Sequence, residues 1–158
     1  MATILSQFSA RTLTTVTAPT AGNVAVNDYF IDLTAAQLVA GNIIDLGVLP
    51  ANHTVTDAVL ISDALGAGMT VNIGIMSGIP GDDLSARTCN SEFYAASNAP
   101  GDGAAAISRM TAKTGFLVKA EEFDRSIGIQ IVAAPTAPAA GRIRLRVLMH
   151  GSDHKVTF

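Results

Sequence analysis

Apolar and polar residues alternate with a period of two through much of the chain. Val71, Ile73 and Ile75 alternate with Asn72, Gly74 and Met76; Ile127, Ile129 and Ile131 with Gly128, Gln130 and Val132; and Ile143, Leu145, Val147 and Met149 with Arg142, Arg144, Arg146 and Leu148. Successive side chains of a strand point to opposite faces, so each stretch predicts a half-buried strand. Residues 54–62 alternate less cleanly, and the expected inner face there carries Val55, Asp57, Val59 and Ile61. Residues 29–33, 43–48 and 116–119 supply further strands, while residues 34–40, 91–97 and 104–110 carry the only helical signals, one or two turns each. The connectors are short and rich in Gly, Pro, Asn and Asp, a spacing that points to a sandwich and not to βαβ units. The expectation is an all-β chain forming a single antiparallel β-sandwich, jelly-roll-like, of about eight strands with few short helical turns. Its core is expected to hold Val59, Ile61, Val71, Ile73, Ile75, Ile127, Ile129, Ile131, Ile143, Leu145 and Val147.

Residues 1–22 differ in composition from the rest of the chain. They are rich in Thr, Ala and Ser, carry Arg11 as their only charge, and close on Pro19 and Gly22. This segment reads either as an N-terminal arm that completes a sheet edge or as an ordinary first strand with a frayed end. With the arm assigned to 1–22, residues 23–158 form the sandwich domain with a short C-terminal tail. A free, solvated tail gains nothing from Ile4, Leu5, Phe8, Leu13 and Val16, so these residues are expected to seek a surface.

Composition narrows the function. The 158 residues are 49% hydrophobic and only 15% charged, with a net charge of −3. A surface so poor in charge suits burial against neighbouring subunits better than life as a free monomer. The acidic balance speaks against nucleic acid as the main partner, because phosphate binding rests on clustered Lys and Arg. The single cysteine, Cys89, has no intramolecular partner, as expected of a chain made in a reducing cytoplasm. The N-terminus does not read as a signal peptide, and no apolar run approaches the ~18 residues of a membrane span. No membrane partner is expected.

A search for chemistry yields little. Ser77 in Gly74-Ile75-Met76-Ser77-Gly78 sits one place late for a nucleophile elbow. His150 and His154 flank Asp153, yet Gly151 and the preceding strand argue against a helical metal site. Asp82-Asp83 and Asp102 lack the spacing of a calcium loop. No catalytic, cofactor or metal residue, and no small-molecule substrate, is therefore assigned. The patterned feature that remains is the row Arg142, Arg144 and Arg146 on one strand face. Three like charges side by side require carboxylates on a neighbouring strand or a partner subunit, with phosphate as the alternative.

The stretch Ile44-Asp45-Leu46-Gly47-Val48-Leu49-Pro50-Ala51-Asn52-His53-Thr54-Val55-Thr56-Asp57-Ala58, followed by Val71-Asn72-Ile73-Gly74-Ile75-Met76-Ser77-Gly78, resembles a class of small structural proteins encoded near the capsid genes of tailed bacteriophages. The resemblance covers about the middle half of the chain and carries over no catalytic residue. It implies a jelly-roll-like sandwich that binds the outside of an icosahedral shell as a cement or decoration protein, made in the bacterial cytoplasm. The expected partners are the major capsid protein and further copies of the chain, as a dimer or trimer. Contact residues expected for that role are Ile4, Leu5, Phe8, Arg11 and Leu13 in the arm, Arg142, Arg144 and Arg146 on the strand, and Lys155 and Phe158 in the tail. Another virion component, such as a head-fibre base or tail protein, and a glycan-binding jelly roll are the rival readings.

Overall fold

The computed structural model describes residues 3–10, 13, 15, 23–83, 86–101 and 106–151. Nine strands run through them: β1 Thr3–Leu5, β2 Val24–Leu33, β3 Ile43–Leu49, β4 His53–Ser62, β5 Thr70–Ile75, β6 Tyr94–Ser97, β7 Ala106–Arg109, β8 Arg125–Ala133 and β9 Gly141–Gly151. They form two sheets, one in the order β1-β3-β8-β5-β6 and the other in the order β2-β9-β4-β7. Strand β2 pairs with β9, β3 with β8, β4 with β7 and β5 with β6. That nested pairing is one long antiparallel ribbon of eight strands rolled into a sandwich, which is the jelly roll the alternation predicts. The exception to antiparallel order is β1, which lies parallel along β3.

The core fills the space between the sheets. Ile127, Ile129 and Ile131 from β8, Ile143, Leu145 and Val147 from β9, and Val71 and Ile73 from β5 are all buried, while Ile75 is half-buried against them. Tyr29 crosses the core and donates its hydroxyl to the Val48 carbonyl at 2.6 Å. Burial without a charge partner drives its pKa well above the ordinary phenol value. Gly47 makes room for that ring, since a Cβ there would lie 2.5 Å from Tyr29 Cδ1.

Strand β4 corrects the expected core. Val59 and Ile61 are only half-buried and belong to the outer face, whereas Ala58 and Leu60 point inward. The cause is a bulge between Val55 and Asp57 in the pairing with β9. One extra residue inverts every later side chain, so the alternation read from Val55 onward ends on the wrong face.

Three shorter segments also differ from expectation. Residues 94–97 and 106–109 are edge strands, not helical turns, and residues 115–117 form a 3-10 turn where a strand is expected. The two edges are tied to the core by Tyr94, whose hydroxyl lies 2.8 Å from the carbonyls of Ala58 and Ser108 and accepts the Leu60 N–H at 3.2 Å. The helical signal at 34–40 corresponds to a single 3-10 turn at Ala35–Gln37. Among the described residues no helix is long and apolar enough to cross a membrane.

Candidate partner-binding surfaces

Cross-strand register builds the arginine row. Strand β2 lies against β9 so that Asp32 faces Arg142, Phe30 faces Arg144 and Asp28 faces Arg146. Arg142 grips Asp32 with both arms of its guanidinium, at 2.7 and 2.8 Å, while Arg144 and Arg146 share Asp28 at 3.3 and 3.1 Å. The guanidiniums of Arg142 and Arg144 also stand 4.8 and 5.8 Å from the centre of the Phe30 ring. The Arg142 hydrogen bond lowers the Asp32 pKa, and Asp32 in turn raises that of Arg142.

The same sheet face carries Arg109, paired with Asp57 at 2.7 Å, and Asp63, which accepts the Arg142 backbone N–H at 2.8 Å. Four guanidiniums thus meet the carboxylates of Asp28, Asp32 and Asp57 on this face, with that of Asp63 beside them. A face so balanced holds no concentrated positive field for phosphate. The carboxylates that the row requires are supplied by a neighbouring strand of the chain itself. Around the ion pairs, Val24, Val26 and Ile107 are exposed to solvent.

The N-terminal residues lie against the sandwich. Ile4 and Phe8 pack on the core, and Phe8 meets Tyr29 and Phe30 edge-on, with ring centres 5.0 and 5.7 Å apart. Leu5 is half-buried and Leu13 is exposed. Ser6 donates its backbone N–H to the Asp45 carbonyl at 2.8 Å and its hydroxyl to the Leu46 carbonyl. Arg11, Lys155 and Phe158 lie outside the described residues, as does the expected arm boundary at 22.

Sequence reasoning missed a buried ion pair. Arg87, 1% exposed, reaches the fully buried carboxylate of Asp45. It also donates to the carbonyl of Ser77 at 2.7 Å and to Ser126 Oγ at 2.8 Å, and Ser126 in turn donates to Asp45 at 2.9 Å. Gly81 N–H donates to the same carboxylate at 3.1 Å. The network pins the β5–β6 connection across the outer face of the β3-β8-β5 sheet. Gly74 and Gly128, paired across β5 and β8, make that approach possible: a Cβ on either would sit 2.2 Å from Glu92 Oε2 or 2.3 Å from Met76 Sδ. An Asp and an Arg in opposite halves of a sequence carry no spacing signal, but two glycines on one strand face do suggest close approach of another backbone.

The other candidate groups are engaged structurally. Ser77 Oγ accepts the Thr88 N–H at 2.8 Å, and the Ser77 carbonyl accepts from Arg87. Cys89 is buried beside Ile43 and Met76, and burial pushes its thiol up to about 12. His150 Nδ1 lies 3.1 Å from the Gly151 carbonyl, while Asp102, Asp153 and His154 lie outside the described residues. Among the described residues no three His, Cys, Asp or Glu side chains converge to hold a metal.

No protein-family model and no curated protein matches the chain. Solved structures do. A chain in the capsid of Ralstonia phage GP4 is 35% identical, superposes with a TM-score of 0.90, and the match covers 97% of this chain and 100% of that one. A chain of the cyanophage Pam1 capsid asymmetric unit is 20% identical, with a TM-score of 0.66 over 89% of this chain and 93% of that one. A chain of the acid-stable capsid of Helicobacter pylori bacteriophage KHP30 is 14% identical, with a TM-score of 0.53 over 83% and 90%. At such identities the last two show a shared fold.

Proposed function

The chain belongs to the family of phage capsid proteins represented in the capsid of Ralstonia phage GP4, and from that premise we propose that it is an accessory capsid subunit, a cement or decoration protein that binds the outside of a shell and bridges its capsomers. The observation that carries the reading is the end-to-end match to that capsid chain at a TM-score of 0.90. Its closed core supports an added subunit over a shell-forming one. Both sheets bury their inner faces against each other within one chain, so the body needs no neighbour to complete it.

The contacts expected of such a subunit fall on two surfaces. Strand β1 is the outermost strand of its sheet, and the backbone of an edge strand accepts an added strand without demanding particular side chains. Ile4 and Phe8 hold that edge in place from within, leaving Leu5 and Leu13 to meet the partner, and Arg11 is proposed as a further contact of the arm. The second surface is the face of the β2-β9-β4-β7 sheet, where Arg142, Arg144 and Arg146 are held rigid by their carboxylates and flanked by exposed apolar residues. Lys155 and Phe158, which follow β9 in the sequence, are proposed as further contacts. The partner is the major capsid protein, and further copies of the chain complete the assembly.

Shells prepared without this protein provide the test. The purified chain added to them should bind to saturation and raise the temperature at which the shells break open. Failure to bind assembled shells overturns the proposal.

A further inference from the structure

The two ends of the jelly roll are unlike. At one end lie the β3–β4 and β7–β8 connections together with the start of β2, and here Val24, Val26, Phe116, Leu117 and Phe123 are all exposed. At the other end, among the described residues, the exposed large apolar side chains are Val39 in a connection and Ile107 and Val132 near strand ends, none of them aromatic. Exposed aromatic groups clustered on one part of a surface mark interaction sites.

The connection bearing Phe116, Leu117 and Phe123 is held in a fixed shape. Asn52 N–H donates to the Glu121 carbonyl at 2.7 Å, Ala51 N–H to Asp124 Oδ1 at 2.9 Å, Thr114 Oγ1 to the Glu92 carbonyl at 2.7 Å, and Arg125 Nη2 to the Lys119 carbonyl at 2.8 Å. These bonds tie it to the β3–β4 turn, to the β5–β6 connection and to its own base. The three side chains, 52%, 63% and 62% exposed, are therefore presented with little further ordering to be lost on binding.

Charge selects the partner. Phe123 stands in Glu121-Glu122-Phe123-Asp124, all four exposed, and the exposed cations nearest in the chain are Lys113 and Lys119. Two copies meeting end to end would set these carboxylates against each other, which disfavours a second copy here. We infer that this end of the sandwich is the docking end, and that Phe123 and its neighbours insert into an apolar cleft rimmed by Lys and Arg on the shell protein. The inference rests on the accessory-subunit reading and adds a third contact surface to the two proposed for that role.

The full-length chain is tested against shells prepared without it, as wild type, Phe123→Ser, Glu121→Lys/Glu122→Lys, and Val39→Ser as the opposite-end control. Phe123→Ser should weaken shell binding about 30-fold, as loss of a central aromatic anchor does. The double reversal should weaken it about 10-fold and flatten its dependence on salt. Val39→Ser should bind as wild type, and thermal melting and sedimentation of all four should agree. If wild type binds and the Phe123 and Glu variants bind equally well, the docking end is wrong while the accessory role stands. If those variants instead dissociate a wild-type oligomer, the end holds a second copy and the inference falls. If wild type itself does not bind, the accessory role fails.

Discussion

Arg87 and Asp45 show how much a single pair of residues decides. Each is enclosed, and removing one leaves the other as an uncompensated buried charge, which typically costs about 3–5 kcal/mol. Arg87→Ala should therefore lower the unfolding free energy measured by denaturant titration by that order, while Arg87→Leu with Asp45→Leu should lose much less. If the single variant is as stable as wild type, the pair does not hold the β5–β6 connection. Gly47 carries a similar weight on the inner face: Gly47→Ala must displace the Tyr29 ring, at a cost of roughly 1–3 kcal/mol in the same assay. Cys89 provides a pH signature. Its folded pKa is raised from 9.0 to about 12, so the thiol's contribution to stability is complete below pH 9 and fades as pH rises towards 12. Cys89→Ala should remove that part of the alkaline decline, and the native thiol should resist a thiol reagent at pH 8. None of these three roles was legible beforehand. Only the path of the β5–β6 connection brings Arg87 to Asp45, and only the packing of one sheet on the other brings Tyr29 to Gly47.

Among the elements, β8 and β9 were legible because strict alternation of large aliphatics with Gly, Gln or Arg leaves one solution for their facing. Strand β4 was legible as a strand but not in its facing, because its bulge leaves no mark that sequence alone makes unambiguous. The first half of β2 was missed since its apolar residues Val24 and Val26 lie outside while Ala25 and Asn27 lie inside. Strands β6 and β7 have four residues each and too little pattern to read. Their place is set by Tyr94 and by the rolled ribbon. The N-terminal segment is the element whose deletion is most informative. With Ile4 and Phe8 on the core, loss of residues 2–10 should lower the melting temperature by several degrees. An unchanged melting curve would mean that the segment adds nothing to the isolated sandwich.

For the whole molecule, the jelly roll and the arginine row were readable because both arise from a period of two. The ion-paired state of that row was readable as a requirement, but its source in β2 emerged only from the β2–β9 register. The apolar end was invisible as a unit, since Val24 is far in the chain from Phe116 and Phe123 and is brought to the same end only by the ribbon's roll. The role proposed for this compact body is that of an addition to a shell and not the shell itself. A cryo-electron microscopy reconstruction of the source particle tests that most directly. The jelly roll should appear as discrete density on the outer surface, seated on a continuous layer of a different protein at capsomer junctions. A reconstruction in which the jelly roll itself forms the continuous layer, or lies inside it, would contradict that role.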